Sequence, residues 1–231
     1  PNLGAPGQLI GGATGLSVYA GAFLIAAMFL AAAGTVVFTL LRPDPLLVLA
    51  RIRPTMTDDR PGKRQGRIRT MVGEVRSNRP ARIAAIAILS AQVVMVAIMT
   101  MTPVHIMHEG GSVNIVGITI SLHIAGMYAL APVVGWMTDR FGNRSSIYIG
   151  VAILTLSLIL SAAQPDKLAM MVISLILLGI GWSFVNVAGS ALFSLTVSDE
   201  VRASAQGGVD ALSNLCGASA AFAAGPRSEE R

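Results

Sequence analysis

Charge is what this sequence has least of. Asp, Glu, Lys and Arg make up 13% of its 231 residues, against about 25% in a soluble globular domain. That is too few to wet the surface of a water-soluble fold. Cysteine is nearly missing as well: Cys216 stands alone, which excludes an internal disulfide framework and a cysteine-based metal cluster, and its plain reading is a small residue packed in a helix. No glycine loop ending in Lys-Ser/Thr is present to cradle ATP phosphates, and neither a nucleophile elbow nor an H-E-x-x-H pattern occurs. An ATP-driven pump has no support, no cofactor is expected, and the chain does not read as an enzyme.

What the sequence has in abundance is apolar length. Hydrophobic residues form 53% of it, the mean hydropathy is +0.67, and several runs reach the ~18 to 20 residues a helix needs to cross hydrocarbon about 30 Å thick. The bilayer is therefore the solvent, and the expected fold class is all-α, a polytopic transmembrane helical bundle. Residues 18–41 run without a charge and close at Arg42-Pro43-Asp44-Pro45, where proline stops a helix. Further spans are expected at 83–102, 113–137, 145–163 and 168–195. A last span at about 203–225 is less apolar, because it carries Ser204, Gln206, Asp210, Ser213 and Asn214. Pro1 to Gly12, rich in glycine and proline, reads as a partial span rather than a signal peptide.

The positive charge is concentrated. Eleven of the seventeen Lys and Arg residues fall in 42–82, beside only Asp44, Asp58, Asp59 and Glu74. Such clustering between apolar runs speaks of membrane topology and not of nucleic acid. Basic residues in short loops stay in the cytoplasm, so 42–82 is expected to be a cytoplasmic linker of a multi-pass plasma-membrane protein. The domain layout that follows is 1–41, linker 42–82, 83–225, and a tail at 226–231. The later loops alternate in keeping with this, and they leave the basic tail outside, which implies one more span beyond it.

The most specific motif is Gly135-Trp-Met-Thr-Asp139-Arg140-Phe-Gly142-Asn-Arg144, where one span ends and the next begins. Gly135 permits close helix approach, and Gly142 permits a turn with positive φ. Asp139 can cap the next helix or pair with a cation, and Arg140 and Arg144 can meet carboxylates, helix C-termini or lipid headgroups. Without further context the segment is a tight charged loop. It resembles, however, the G-x-x-x-D-R-x-G-x-R signature of the major facilitator superfamily, with all five signature residues present.

Other segments resemble that family too. Pro1 to Gly12 is similar to the fifth helix of its antiporters, with the G-P-x-x-G-G order imperfect, and 42–82 looks like the linker between its halves. Ser121 to Tyr128 resembles the eighth helix of actinobacterial drug or small-molecule permeases. The resemblance implies a chain running from the end of the fifth helix through the eleventh. It also implies partners: the lipid bilayer, a small-molecule substrate coupled to protons, and the missing N-terminal half or a dimer partner to complete a pathway. A second reading is a truncated, non-transporting membrane remnant or interaction subunit.

Candidate path residues are ionisable or polar groups within spans, which in a membrane are functional hypotheses by default. His123 is either a titrating group or a neutral imidazole bonded to a neighbouring helix. Gln206, Asp210 and Asn214 share one face at four-residue spacing; Asp210 either exchanges protons in a water-filled path or pairs with Arg140 or Arg144. Gln92, Ser183 and Asn186 offer weaker polar lining. His105 and His108 share a helical face and could hold a metal, but no third ligand is evident; two solvent-facing loop histidines are the simpler reading, and no metal site is expected.

Overall fold

The computed structural model describes residues 20–43, 72–199 and 201–224, with Leu9, Gly12, Ala13, Val48 and Arg69 besides. The expected partial span at the start, most of the basic linker and the tail at 226–231 lie outside the described residues. All regular elements among the described residues are α-helices. The chain forms two compact units, 1–64 and 65–231.

In the first unit, helix α1 spans Ala20–Leu40. It has no charged side chain, and its threonines are satisfied within it: Thr35 donates to the Ala31 carbonyl and Thr39 to the Thr35 carbonyl, each at 2.8 Å. Internal satisfaction of polar groups is what hydrocarbon demands of a spanning segment.

The second unit contains α2 (Arg79–His108), α3 (Val113–Tyr128), α4 (Ala131–Phe141), α5 (Asn143–Ala163), α6 (Leu168–Thr196) and α7 (Arg202–Ala224). Capping sets where several begin. The Asn78 side chain accepts the Ala81 N–H at 3.3 Å, Pro80 sits in the first turn where its missing N–H is harmless, and Ser112 caps α3 through the Ile115 N–H. Asn78 also donates to the Thr196 carbonyl at 2.7 Å, and Glu74 accepts from the backbone N–H and the hydroxyl of Ser198 at 2.6 and 2.9 Å. The end of the basic segment is thereby bound to the loop ahead of α7.

Two prolines move the expected boundaries. The span predicted to end at 102 continues through Pro103 to His108, so the expected loop at 103–112 shrinks to a short turn. The span predicted at 113–137 is instead broken between α3 and α4 at Ala129 and Leu130. Pro132 has no N–H to give the Tyr128 carbonyl, and its ring crowds that carbonyl. Five helices among the described residues are long and apolar enough to cross a membrane, with α3 and α4 counted together; α7, with its polar residues, is not among them.

Helix α6 is the packing centre, set against α2, α3, α4 and α5 and touching α7. Its contact with α5 includes a reciprocal polar clamp: Ser157 Oγ donates to the Ser174 carbonyl at 2.7 Å and Ser174 Oγ to the Ser157 carbonyl at 3.0 Å, both serines fully buried. Large apolar side chains such as Ile86, Val133, Ile159 and Leu215 are exposed instead. In water such a surface would aggregate; against lipid tails it is the expected exterior.

Candidate functional site

The approach of α3 to α6 is set by Gly179. A Cβ there would collide with the His123 carbonyl oxygen and lie 3.2 Å from its Nδ1, so only glycine lets the two backbones come this close. The closeness buries His123 to 1% exposure and puts its Nδ1 2.8 Å from the Leu175 carbonyl. A carbonyl only accepts, so Nδ1 carries the proton and Nε2 of the neutral ring presents a lone pair. That Nε2 is buried and has no partner.

His123 lines a groove of about 400 Å³ with Met95, Met99 and Thr100 of α2 and Met127 and Tyr128 of α3. Thioether and aromatic side chains make such a lining soft and adaptable. Beside it, Tyr128 meets Trp182 of α6 edge to face, centroids 6.1 Å apart, and the Trp182 indole N–H donates to Gln92 Oε1 at 3.1 Å. Three helices thus join through one polar-aromatic chain. Of the sequence-predicted residues, His123 lines the groove and Gln92 is joined to it through Trp182 and Tyr128. The residues that sequence reasoning missed are Tyr128, Trp182 and the three methionines; the signal lay in Gly179-Ile-Gly181-Trp182, small residues flanking a large one at a helix crossing.

The others are placed as follows. Ser183 is 1% exposed with an unpartnered Oγ, and Asn186, half-buried, is one turn beyond Trp182. Gln206, Asp210 and Asn214 do form one face: Gln206 donates to Asp210 Oδ1 at 3.4 Å, and Asn214 donates to the Asp210 backbone carbonyl at 2.9 Å. Asp210 is exposed and lies outside the groove around His123. Among the described residues it pairs with neither Arg140 nor Arg144.

In the signature loop Gly142 has φ 87° and ψ 150°, a region essentially restricted to glycine, as its place in the motif predicts. The expected cap does not form, since α5 starts from Gly142 with no side-chain cap and Asp139 is exposed. Nor does Gly135 serve close packing among the described residues, because a Cβ there meets nothing within 4 Å. Arg140 lies over the Trp136 ring, 5.9 Å from its centroid. His105 Nε2 is 2.9 Å from the Pro165 carbonyl, a contact that ties the end of α2 to the turn before α6, while His108 is exposed. No cluster of three potential metal ligands occurs among the described residues.

A helical bundle with several apolar spans, a glycine-pinned charged loop and a groove between helices that holds a buried histidine defines a polytopic membrane protein of transporter architecture. The sequence profile of the Major Facilitator Superfamily matches residues 5–221, and the chain belongs to that family, one of transporters rather than enzymes. Among similar proteins of Bacillus subtilis (strain 168), the uncharacterized MFS-type transporter YddS is 35% identical over 205 residues, covering 88% of this chain and 46% of its own. The uncharacterized MFS-type transporter YdeG is 37% identical over 205 residues, covering 88% and 47%. The riboflavin transporter RfnT of Brucella anthropi is 27% identical over 154 residues, covering 67% and 38%. The chain spans about half the length of the first two relatives. No solved structure matches it.

Proposed function

We propose that this chain forms one half of a proton-coupled secondary transporter that moves a small molecule across the plasma membrane, with the groove around His123 as its half of the substrate path. The observation that carries the reading is His123 Nε2, a ring nitrogen buried without a partner at the wall of an open groove, and an acceptor in the neutral tautomer that donates from Nδ1 to the Leu175 carbonyl. An acceptor left unmade in a low-dielectric interior is destabilising by ~1 to 3 kcal/mol, and a ligand donor or a proton would satisfy it. Alternating access requires the facing half-site, supplied by further helices of the same protein or by a second copy. The polar face of Gln206, Asp210 and Asn214 is then a route for protons or water that joins the groove in another conformation.

The first compound to assay is riboflavin, because a relative carries that name and because a flat heteroaromatic ring suits a groove walled by methionine and tyrosine. Uptake would be measured in proteoliposomes of the full-length protein under an imposed pH gradient, across a panel of small heteroaromatic molecules. His123→Gln and Asp210→Asn are each expected to lower gradient-driven flux at least tenfold at equal expression, and Asp139→Asn to lower it by hindering the change between states. Unchanged flux in all three would overturn the site assignment and leave the fold standing.

A further inference from the structure

Tyr128 is the last residue of α3, and its ring depends on a neighbour for its orientation. Pro132 has no N–H to close a helical turn on the Tyr128 carbonyl, and the helix breaks there. The side chain is 62% exposed on the wall of the His123 groove. What holds the ring is its edge-to-face contact with Trp182, the two planes inclined at 66°. Such a pair keeps its geometry only while both rings keep theirs.

Trp182 is held in two ways. Its ring packs against the buried cluster of Ala91, Leu178 and Val185, and its N–H donates to Gln92 Oε1 at 3.1 Å. Apolar packing has no direction, whereas a hydrogen bond does, so the bond to Gln92 decides which edge of the indole faces Tyr128. Gln92 is steadied in turn from α7. A Cβ at Gly217 of that helix would lie 3.1 Å from Val96 Cγ2 and 3.5 Å from Gln92 Cγ, which marks a close approach of α7 to α2. Gln92 therefore sits where α2, α6 and α7 meet. It is not itself among the residues that line the groove.

We propose that Gln92 is a positioning residue for substrate selection, a role that rests on the His123 groove being half of the substrate path. By fixing the indole of Trp182 it sets the pitch of the Tyr128 ring, and Tyr128 so held makes the groove prefer a flat aromatic ring that carries an N–H donor. The flat ring stacks on the exposed face of Tyr128, with the thioethers of Met95, Met99 and Met127 at its edge. The N–H goes to His123 Nε2, the acceptor left without a partner at the groove wall. A saturated ring of the same size keeps the N–H bond and loses the stack, because it is puckered and has no π face. Selection between the two ring types lies in the pitch of Tyr128, and a residue that never touches the substrate controls it.

The test uses the full-length protein purified in mild detergent, with naphthalene-2-carboxamide and decahydronaphthalene-2-carboxamide as probes. The two carry the same amide N–H on an aromatic and on a saturated ring system. Affinities are read by isothermal titration calorimetry. Trp182 emission and its quenching by acrylamide are read with every other tryptophan replaced by phenylalanine. The wild type is expected to bind the aromatic amide about fivefold more tightly, the worth of one aromatic pair. Gln92→Leu, which removes the acceptor, should make Trp182 easier to quench and bring the two affinities toward parity. Gln92→Glu, which keeps an acceptor, should restore both. Trp182→Phe keeps a ring beside Tyr128 without an N–H to direct it and should also abolish the preference; it keeps the test decisive should Gln92→Leu misfold. Unchanged Trp182 emission and quenching in Gln92→Leu overturns the proposal. So does a preference that persists in Gln92→Leu and Trp182→Phe, or equal affinity of the wild type for the two amides, and in both cases the groove still stands as a substrate site. If neither amide binds the wild type, the substrate-path reading fails and the proposal falls with it.

Discussion

At Gly179 the absent side chain governs more of the structure than most side chains that are present, because the His123 carbonyl occupies the space a Cβ would need. Gly179→Ala therefore forces α3 away from α6. Overpacking of this kind destabilises by ~1 to 3 kcal/mol, and separation of the helices would also release the bond from Nδ1 to Leu175. Gly207 on α7 is the control, since nothing lies within 4 Å of a Cβ built there; alanine at that position should be neutral or stabilise the helix by up to about 1 kcal/mol. Thermal unfolding of the detergent-solubilised protein, followed by tryptophan fluorescence, checks both. Equal unfolding temperatures for the two variants would refute the crossing as described. At this scale the sequence disclosed single residues better than their partners. That His123 is special follows from finding an ionisable group inside an apolar run, and that Gly142 turns with positive φ follows from the motif. That Trp182 donates to Gln92 does not follow from either, because the pairing depends on which turns of two helices ninety residues apart come level.

Between elements, the clamp of Ser157 and Ser174 is the clearest polar link, with two hydroxyls each donating to the other residue's carbonyl. Hydrogen bonds between membrane helices are worth ~0.6 kcal/mol on average and at most ~1.7. Ser157→Ala and Ser174→Ala should each lower stability by that order. The pair should be non-additive in a double-mutant cycle, because loss of either residue already breaks the reciprocal arrangement; strict additivity would show that the two serines act apart. The element scale is also where sequence reasoning met its limit. Spans are legible as apolar runs, since length and hydropathy are properties of one segment. The effect of a proline inside a run is not. Pro103 is passed by a helix that continues to His108, while Pro132, within a run that reads as continuous, separates α3 from α4. Membrane helices tolerate proline where neighbouring groups satisfy the freed backbone, and those neighbours come from elsewhere in the fold.

For the molecule as a whole, the asymmetry of basic residues predicts an orientation. With Cys216 replaced by serine, a cysteine at Ser77 lies beside the basic segment and one at Asn114 at the opposite end of α2; both positions are exposed. An impermeant maleimide added to intact cells should label Asn114→Cys and spare Ser77→Cys until the membrane is permeabilised. The reverse pattern would invert the topology. Helix α2 supports a full crossing by length alone, since thirty residues rise ~45 Å against a hydrocarbon core of about 30 Å. The family was legible from the signature loop together with the linker. The groove was not, because it depends on which turns of α2 and α3 face each other, and that is set by how both pack against α6.

The central place of α6 bears on how the protein is made. Helices α3 and α5 make their main contacts with α6, α2 packs on both α6 and α7, and the three touch one another little, yet all of them leave the ribosome first. At ~5 to 20 residues per second, the 88 residues from the end of α2 to the end of α6 take roughly 5 to 20 s to synthesise. Through that interval the earlier helices are inserted but unassembled, with Ser157, His123 and Gln92 facing lipid or one another without their final partners. A nascent chain stalled before residue 168 should therefore be a substrate for membrane quality control, and one stalled after residue 196 should escape it.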